Sequence, residues 1–321
     1  MSETKKFEEL FLSECDSENL GTSELKILLI SDVHKNYSFL ENLKEWHTMH
    51  NKVYDYIFLT GDILRLNYPE NEQAEFIAKS EAEISAIISF LENMCLKVIY
   101  LGGNHDPKTL FSDASLCLTI KSTNIHKKSI KVCNDLYIFG LGGSVPTIGS
   151  KNCVDSEDFI PYVDVDPETI KDVVWQGYPY QNSYEKPDYY TSDKIYTKEL
   201  TESYEKTKQS ISNDNKTENI KFILLTHNGP FYSASSIMEY NGKCVYMGSI
   251  GLSKFMKRYK DDILLNVHGH THSGKGLYCF GSTPVINPGA LTLGSFSSIT
   301  LKRDCNDEWY LFSSEFVDLS N

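Results

Sequence analysis

Apolar and polar positions follow two different rhythms along the first hundred residues. Runs of consecutive apolar residues predict buried strands at 26–31, 56–60 and 97–101. Between these runs, 38–50 and 71–95 carry apolar residues at spacings of three and four, which predicts amphipathic helices. Strands that alternate with helices favour parallel strands joined by right-handed crossovers. The pattern therefore predicts an α/β fold.

The second half of the chain extends this pattern. Apolar runs predict further strands at 136–142, 221–226 and 263–267, and helical spacing predicts a helix at about 250–259. Residues 276–317 hold short β-rich runs broken by Gly, Pro and Asn, which predicts an antiparallel set of strands.

One long stretch departs from the pattern. Residues 144–217 are acidic, rich in Tyr, Ser, Asn and Pro, and poor in apolar runs. A structureless loop of that length is uncommon in a compact domain, so we predict an inserted cap with helices at 165–174 and about 194–211. Residues 1–23 are polar and predict an N-terminal lead-in, followed by a single domain over 24–321.

Composition narrows the setting in which this domain works. The 321 residues carry a formal net charge of -13, which disfavours long nucleic acids and anionic membranes as partners. The eight cysteines form no Cys-x-x-Cys pair and predict free thiols in a reducing compartment. The N-terminus does not resemble a signal peptide, and no apolar run approaches the roughly 20 residues of a membrane span, so we expect a cytoplasmic protein.

Candidate chemistry lies just past the ends of the predicted strands. The motifs are Asp32-Val-His34, Gly61-Asp62, Gly103-Asn-His-Asp106, His227 and Gly269-His-Thr-His272. The carboxyl ends of parallel strands meet at one edge of a sheet, so these segments are expected to share one crevice. Carboxylates, imidazoles and one amide suit divalent Mn, Fe, Co, Ni or Zn. Ordinary turn and surface residues are the alternative, but five of the nine histidines fall at strand exits, which favours a metal site.

With these motifs in this order, residues 26–289 resemble the calcineurin-like metallophosphoesterase superfamily, apart from the 144–217 insert. The stretch Ile286-Asn-Pro-Gly289 is also similar to the continuation usual in that family. The resemblance implies a four-layer α/β/β/α sandwich with metals at the carboxyl edge of the sheets. It also implies hydrolysis of a phosphate mono- or diester by a hydroxide that bridges two divalent ions.

The resemblance also implies a role for each motif residue. The first metal would be held by Asp32, His34 and His272, the second by Asn104, His227 and His270, and Asp62 would bridge the two. His105 would then face the substrate, stabilise its developing charge or protonate the leaving oxygen, and be oriented by Asp106.

Differences between this sequence and the motifs of known branches indicate which branches of the superfamily the chain does not resemble. Serine/threonine protein phosphatases carry Gly-Asp-x-Val-Asp-Arg-Gly, whereas this chain has Gly61-Asp-Ile-Leu-Arg65. Purple acid phosphatases place a tyrosine three residues after the bridging aspartate, where this chain has Arg65. The large C-terminal substrate domain of 5′-nucleotidases is not expected either. The best match is to small, broad-specificity and class III phosphodiesterase-like members.

For three residues and one aromatic stretch, the sequence is compatible with substrate binding and also with an ordinary structural role. Arg65, Asn36 and Asn228 lie beside ligand motifs and could contact a small phosphorylated or nucleotide substrate, or serve as surface and turn residues. The aromatic stretch 175–180 could stack on a base or form the core of the cap. Two other functions stay open: a catalytically silent scaffold for protein interaction, and a nuclease.

Overall fold

The structure is a computed structural model that describes residues 23–66, 74–95, 97–112, 121–146, 148–150, 189–214, 219–240 and 243–319. The predicted lead-in, the predicted helix at 165–174 and the aromatic stretch at 175–180 lie outside these residues. The cap therefore stays a prediction.

The first sheet is built mainly from the N-terminal part of the chain. Its strands are β1 (Glu24–Ile30), β2 (Tyr56–Leu59), β3 (Val98–Tyr100), β4 (Ser122–Asn124), β14 (Ser295–Arg303) and β15 (Trp309–Asp318). They lie in the order β15-β14-β1-β2-β3-β4. The first four strands by number are parallel, whereas β14 pairs antiparallel with β1 and β15 antiparallel with β14.

The second sheet also has a parallel centre. Its strands are β5 (Lys128–Cys133), β6 (Leu136–Leu141), β8 (Lys221–Thr226), β11 (Ile263–Val267), β12 (Gly276–Phe280) and β13 (Thr283–Asn287). They lie in the order β12-β13-β11-β8-β6-β5, with a parallel centre and an antiparallel strand at each edge. The parallel strands predicted from the apolar runs are thereby confirmed.

The C-terminal tail differs from the prediction of one antiparallel set. It forms two separate hairpins, and each extends a different sheet: β12 and β13 join the second sheet, while β14 and β15 join the first. The reason is that β13 runs parallel to β11, whereas β14 pairs along β1 at the other end of the sequence.

In the described part of the chain, four α-helices cover the outer faces of the two sheets. They are α1 (Tyr37–Met49), α2 (Ala74–Glu92), α3 (Tyr189–Asp214) and α4 (Ile250–Arg258). Leu40 and Ile84 from α1 and α2 pack in one apolar cluster on the first sheet. Tyr204 and Phe255 from α3 and α4 pack in another on the second sheet.

A third apolar cluster lies between the two sheets. Ile27 and Phe58 of the first sheet pack there with Ile138, Leu225 and Val267 of the second, and all are buried. Because side chains alternate along a strand, each central strand contributes to both the inner and an outer layer. The result is the four-layer α/β/β/α sandwich that the resemblance implied.

Part of the acidic stretch 144–217 belongs to this sandwich. The helix predicted at about 194–211 is present as α3, and its residues Tyr189, Tyr196 and Tyr204 pack on the second sheet. A small antiparallel sheet accompanies it, in which β10 (Lys243–Tyr246) pairs with β7 (Ile148–Ser150) and β9 (Ile237–Tyr240). Among the residues that the structure describes, no helix has the length and apolar character needed to cross a membrane.

Candidate metal centre

The predicted motifs meet at the carboxyl edges of the two sheets. Three consecutive strand exits of the first sheet are tied together through their backbones. The Asp32 amide donates to the Gly61 carbonyl at 3.0 Å, and the His34 amide donates to the Asp62 carbonyl at 3.0 Å. The Leu66 amide donates to the His105 carbonyl at 3.0 Å. These bonds fix the relative positions of the first three motifs.

Glycines allow these exits to approach each other closely. A Cβ atom on Gly61, whose φ is +96°, would lie 2.7 Å from His227 Nδ1. A Cβ atom on Gly103 would lie 2.2 Å from Asp62 Oδ1. Any side chain at either position would displace a candidate ligand, which explains why glycine precedes the functional residue in both motifs.

The backbone is strained where the candidate ligands lie. Asp32, His34, Asp62 and His270 have φ values between 47° and 67°, in the left-handed region that residues with a Cβ atom seldom adopt. Such conformations cost of order 1–3 kcal/mol each and cluster at functional sites. Four of the seven predicted ligands are therefore among the nine residues other than glycine with positive φ in the described part of the chain.

The first group of potential ligands joins both sheets. Asp32, His34 and His272 each place one ligand atom within 4.8 Å of the others. The Nε2 atoms of His34 and His272 are 3.1 Å apart, and Asp32 Oδ1 is 3.2 Å from His272 Nε2. These three residues are the predicted ligands of the first metal, and their donor atoms converge on one point.

The second group is more deeply buried. Asp62, His227 and His270 likewise place one ligand atom each within 4.8 Å of one another. The Oδ1 atom of Asn104 is 3.1 Å from His227 Nε2, which adds the predicted amide ligand. His270 Nε2 is buried and has no hydrogen-bond partner among the described residues.

Asp62 lies between the two groups. Its Oδ2 atom is 3.7 Å from His34 Nε2 in the first group, and its Oδ1 atom is 3.4 Å from His227 Nε2 in the second. The two oxygens of one buried carboxylate thus face histidines of two different groups.

Backbone carbonyls determine which imidazole nitrogen faces the centre. His34 Nδ1 is 3.1 Å from the Leu64 carbonyl, and His227 Nδ1 is 2.7 Å from the Thr60 carbonyl. A carbonyl can only accept, so each Nδ1 carries the proton and donates. Each Nε2 is left to face the neighbouring ligand atoms, as metal-binding histidines require.

The charges of the buried groups are strongly coupled. Burial opposes ionisation of Asp32, but the nearby His272 holds its pKa at about 2. Burial acts in the same way on Asp62, yet His227 and His105 hold the pKa of Asp62 well below its usual range. Against its own burial, His227 has its pKa raised to about 9 by Asp62. Burial lowers the pKa of His270 to about 3, which keeps that imidazole neutral.

These charges suit a divalent cation. Without metal, the imidazolium of His227 places a positive charge between Asp62 Oδ1 and Asn104 Oδ1. A metal ion there would replace the Nε2 proton, so binding would release a proton. The donor set of carboxylate, imidazole and amide fits the metals predicted from the sequence.

The contact predicted to orient His105 is wrong. His105 Nδ1 is 3.0 Å from the Leu66 carbonyl, so this carbonyl and not Asp106 orients the imidazole. Asp106 is fully buried and accepts from the amides of Gly103 at 2.8 Å, Leu64 at 2.8 Å and Ile63 at 3.2 Å. Its carboxylate is used to join the second and third strand exits.

Asp106 ionises at an unusually high pH for an aspartate. Burial, followed by repulsion from Asp62, raises its pKa to about 7, although the three backbone amides act in the opposite direction. The free-energy cost of burying this carboxylate is offset by the amides that it satisfies.

The three weaker predicted residues have distinct environments. Asn36 caps α1, since its Oδ1 accepts from the Phe39 amide at 3.4 Å. Asn228 is fully buried, and its Oδ1 accepts from the Val145 amide at 3.4 Å. Asn36 thus has a local capping role, whereas Asn228 joins two segments that are distant in sequence, and contact of either with substrate stays a prediction. Arg65 is exposed beside the centre, and its contact with substrate stays a prediction.

Sequence reasoning missed a polar network behind the centre. His268 Nε2 is 2.7 Å from Ser235 Oγ, and Asn287 Nδ2 donates to the Thr271 carbonyl at 2.9 Å. Asn287 lies in the stretch Ile286-Asn-Pro-Gly289, and the similarity of that stretch to the family motif could have indicated a role for this residue. The Ser235 segment carries no pattern that distinguishes it from an ordinary loop.

A cavity of about 790 Å³ lies away from the motifs. It is located between α3 and α4, and Tyr190, Lys194, Tyr232 and Lys254 are among its lining residues. It includes none of the motif residues, so the candidate centre is defined by the strand exits and not by this cavity.

Comparison with known proteins places this geometry in a family. The family model for calcineurin-like phosphoesterases matches residues 25–274, which is more than half of the chain. The chain belongs to the calcineurin-like phosphoesterase family. Membership in this family indicates phosphoester hydrolysis as the general class of reaction, as the sequence predicted. None of the curated proteins matches the chain significantly.

Solved structures match this calcineurin-like phosphoesterase at low identity. The protein TT1561 of Thermus thermophilus is 16% identical with a TM-score of 0.51, over 92% of this chain and 99% of that one. A putative 5′-nucleotidase from Staphylococcus aureus is 14% identical with a TM-score of 0.48, over 92% of this chain and 54% of that one. The phosphopantetheinyl hydrolase of Mycobacterium tuberculosis is 14% identical with a TM-score of 0.46, over 84% of this chain and 91% of that one.

Proposed function

We propose that this chain hydrolyses small phosphate esters with two divalent metal ions held at the joined edges of its sheets. The observation that carries the proposal is the position of Asp62, whose two oxygens face His34 and His227 in different ligand groups. A carboxylate in that position can bridge two ions. The ligands proposed for the first ion are Asp32, His34 and His272, and those for the second are Asn104, His227 and His270.

The environment of the proposed ligands is compatible with bound metal ions. His270 is neutral and its buried Nε2 atom lacks a partner among the described residues, which is costly unless a ligand binds there. Two divalent ions in this type of site activate a water molecule and stabilise negative charge on the phosphoryl oxygens.

His105 is the proposed proton donor to the leaving oxygen. Its ring lies 5.3 Å from that of His34, centroid to centroid, and it is only half-buried. Because Nδ1 is directed to the Leu66 carbonyl, Nε2 is the nitrogen that can face a substrate. An imidazole oriented in this way can hold a proton and transfer it to the alkoxide as the ester bond breaks.

The substrate is proposed to be a small molecule or nucleotide and not a long nucleic acid. The net charge of -13 repels a polyanion, whereas a single phosphate group would be attracted locally by the ions and by Arg65. A cytoplasmic location is part of the proposal, and it rests on the sequence alone.

Turnover after metal removal and return tests the proposal. The full chain, stripped with EDTA, is expected to be inactive on p-nitrophenyl phosphate and bis-p-nitrophenyl phosphate and to regain activity on at least one of them with Mn²⁺. The preferred ester would distinguish a monoesterase from a diesterase. Absence of turnover on both esters with Mn²⁺, Co²⁺ and Ni²⁺ would contradict the proposal. Stoichiometric metal without turnover would instead favour the scaffold.

A further inference from the structure

A buried turn lies directly behind the loop that carries His270 and His272. This 3₁₀ turn, Ala234–Ser236, has Ser233 as its N-cap residue and follows the strand exit that carries His227. Ser233 and Ser235 are buried, and their Oγ atoms are 2.7 Å apart. Buried hydroxyls that form no useful contact destabilise a fold, so the contacts of this turn indicate its purpose.

The first contact runs through His268. Ser235 Oγ is 2.7 Å from His268 Nε2, and the other ring nitrogen of His268 is 2.9 Å from the Gly269 carbonyl. His268 and Ser235 have no exposed surface, so neither can meet a substrate. The pair is therefore a means of holding the backbone just before His270 and not a nucleophile with its base.

The second contact runs through Asn287 at the end of β13. Its Nδ2 atom donates both to the Ser235 carbonyl at 3.2 Å and to the Thr271 carbonyl at 2.9 Å. Thr271 lies between His270 and His272 in sequence. The same turn thus supports the ligand loop on both sides of His270.

The ligand loop needs such support. His270 has a φ of +67°, a left-handed conformation that residues other than glycine adopt uncommonly. The loop lies between β11 and β12, where the His268 amide donates to the Ile286 carbonyl at 2.9 Å and the Gly269 amide to the His227 carbonyl at 3.1 Å. The His270 amide donates to Asp32 Oδ2 at 3.1 Å. The side chains of Ser235, His268 and Asn287 add support to the backbone on either side of His270.

We propose that Ser235, His268 and Asn287 are positioning residues that set the location of His270 and His272 and thereby the affinity of both metal ions. This inference rests on the proposed function, because the two histidines are assigned to different ions. A small displacement of one loop would then weaken both ions together. Residues that orient metal ligands typically change metal affinity by about 10-fold or more when they are replaced.

The test compares two buried serines in the EDTA-stripped full chain. Ser235→Ala removes the contact with His268. Ser297→Ala is the matched control, since Ser297 is also fully buried but its hydroxyl has no hydrogen-bond partner among the described residues. Titration with Mn²⁺ is expected to show about 10-fold weaker binding for Ser235→Ala and unchanged binding for Ser297→Ala. The absorption spectrum of the Co²⁺-loaded chain should shift only in Ser235→Ala.

A second pair of variants covers the case in which Ser235→Ala does not fold. His268→Gln keeps an amide that can reach Ser235 Oγ and should bind Mn²⁺ within about threefold of the unaltered chain. His268→Leu removes this contact and should bind about 10-fold more weakly. Equal affinity in the Gln and Leu variants, or an unchanged Ser235→Ala, would overturn the positioning role while the proposed function stands. If the unaltered chain binds no Mn²⁺, the proposed function itself fails.

Discussion

The two sheets make unequal contributions to the candidate centre. The first sheet supplies all of the oxygen donors, namely Asp32, Asp62 and Asn104, together with His34. The second sheet supplies only imidazoles, namely His227, His270 and His272. Each ligand group contains members from both sheets, so neither sheet could form either group alone.

The two contributions also rely on different buried side chains. Strand exits of the first sheet bond to each other directly through backbone amides and carbonyls. In the second sheet, the Gly269 amide likewise donates to the His227 carbonyl at 3.1 Å, and the side chains of Ser235, His268 and Asn287 support the loop that follows. The difference is that one buried carboxylate, that of Asp106, braces the exits of the first sheet, whereas a hydroxyl, an imidazole and an amide brace the ligand loop of the second.

The largest expected effect comes from the residue that joins the contributions of the two sheets. Asp62→Asn removes the negative charge that faces both ligand groups, so metal content should fall below two ions per chain. Turnover should fall by about 1000-fold or more. Asp307→Asn is the matched control, because Asp307 shares a left-handed φ of 64° but is exposed and remote from the motifs. Metal analysis and steady-state kinetics provide the measurement, and two retained ions in Asp62→Asn would contradict the bridging role.

A smaller effect is expected from His105, which follows β3 of the first sheet and is proposed to face the substrate. His105→Ala should lower kcat by about 100-fold and leave metal content unchanged, because the side chain is a proposed proton donor and not a ligand. His50→Ala is a suitable control, since the exposed His50 likewise places its Nδ1 against a backbone carbonyl, 2.8 Å from that of Trp46. Loss of metal from His105→Ala would show that its role had been misassigned.

Asp106 allows a test of the hydrogen bonds that join the second and third strand exits of the first sheet. In Asp106→Asn, the amide nitrogen would oppose backbone donors, so unfolding of the EDTA-treated chain should require about 2 kcal/mol less. Mn²⁺ affinity should fall as well. Asp193→Asn is the comparison, because Asp193 also accepts a buried amide, that of Gly251 at 2.9 Å, but holds α3 to α4. It should lower stability in urea without changing Mn²⁺ affinity, and equal Mn²⁺ affinities would refute the anchoring role.

The smallest effect concerns the connection at which the chain passes from one sheet to the other. His126 lies between β4 and β5, and its Nδ1 accepts from the Gly142 amide at 3.1 Å. Burial lowers its pKa to about 3 from the ordinary 6.5. The unfolded chain therefore takes up the proton first, and stability present above pH 6.5 is lost as the pH falls towards 3. At pH 5.5 this loss is about 1.4 kcal/mol.

A variant isolates the contribution of His126 from that of other groups. His126→Asn keeps an acceptor near Nδ1 but cannot titrate, so its urea midpoint should change less between about pH 7 and pH 5.5 than that of the unaltered chain. The same pH dependence in both chains would show that His126 is not the titrating group.

Much of the fold follows from sequence pattern. Continuous apolar runs predicted the central strands because strands covered on both faces lack polar positions, and β1 and β8 are buried along nearly their whole length. The edge strand β5 and the partition of the tail into two hairpins were not predicted. Strand order depends on pairing between distant segments, such as β14 with β1, and local periodicity contains no information on it.

The candidate centre, like the fold, could be predicted from the sequence only in part. Convergence of Asp32, Asp62 and Asn104 could be predicted because parallel strands of one sheet end at a common edge. Their approach to His227 depends on how the second sheet packs on the first. The partner of His105 could not be predicted, since the direction of a side chain after a tight turn depends on φ, and left-handed values are not encoded by residue type alone. Ser235 was missed because its function depends on a contact with His268, 33 residues further along the chain.

The most direct test of the two-sheet centre is anomalous diffraction from crystals of the full chain loaded with Mn²⁺. The account predicts two peaks about 3.5–4 Å apart, both within reach of Asp62. One peak should lie among Asp32, His34 and His272, and the other among Asn104, His227 and His270. A single peak, or none in contact with Asp62, would contradict it.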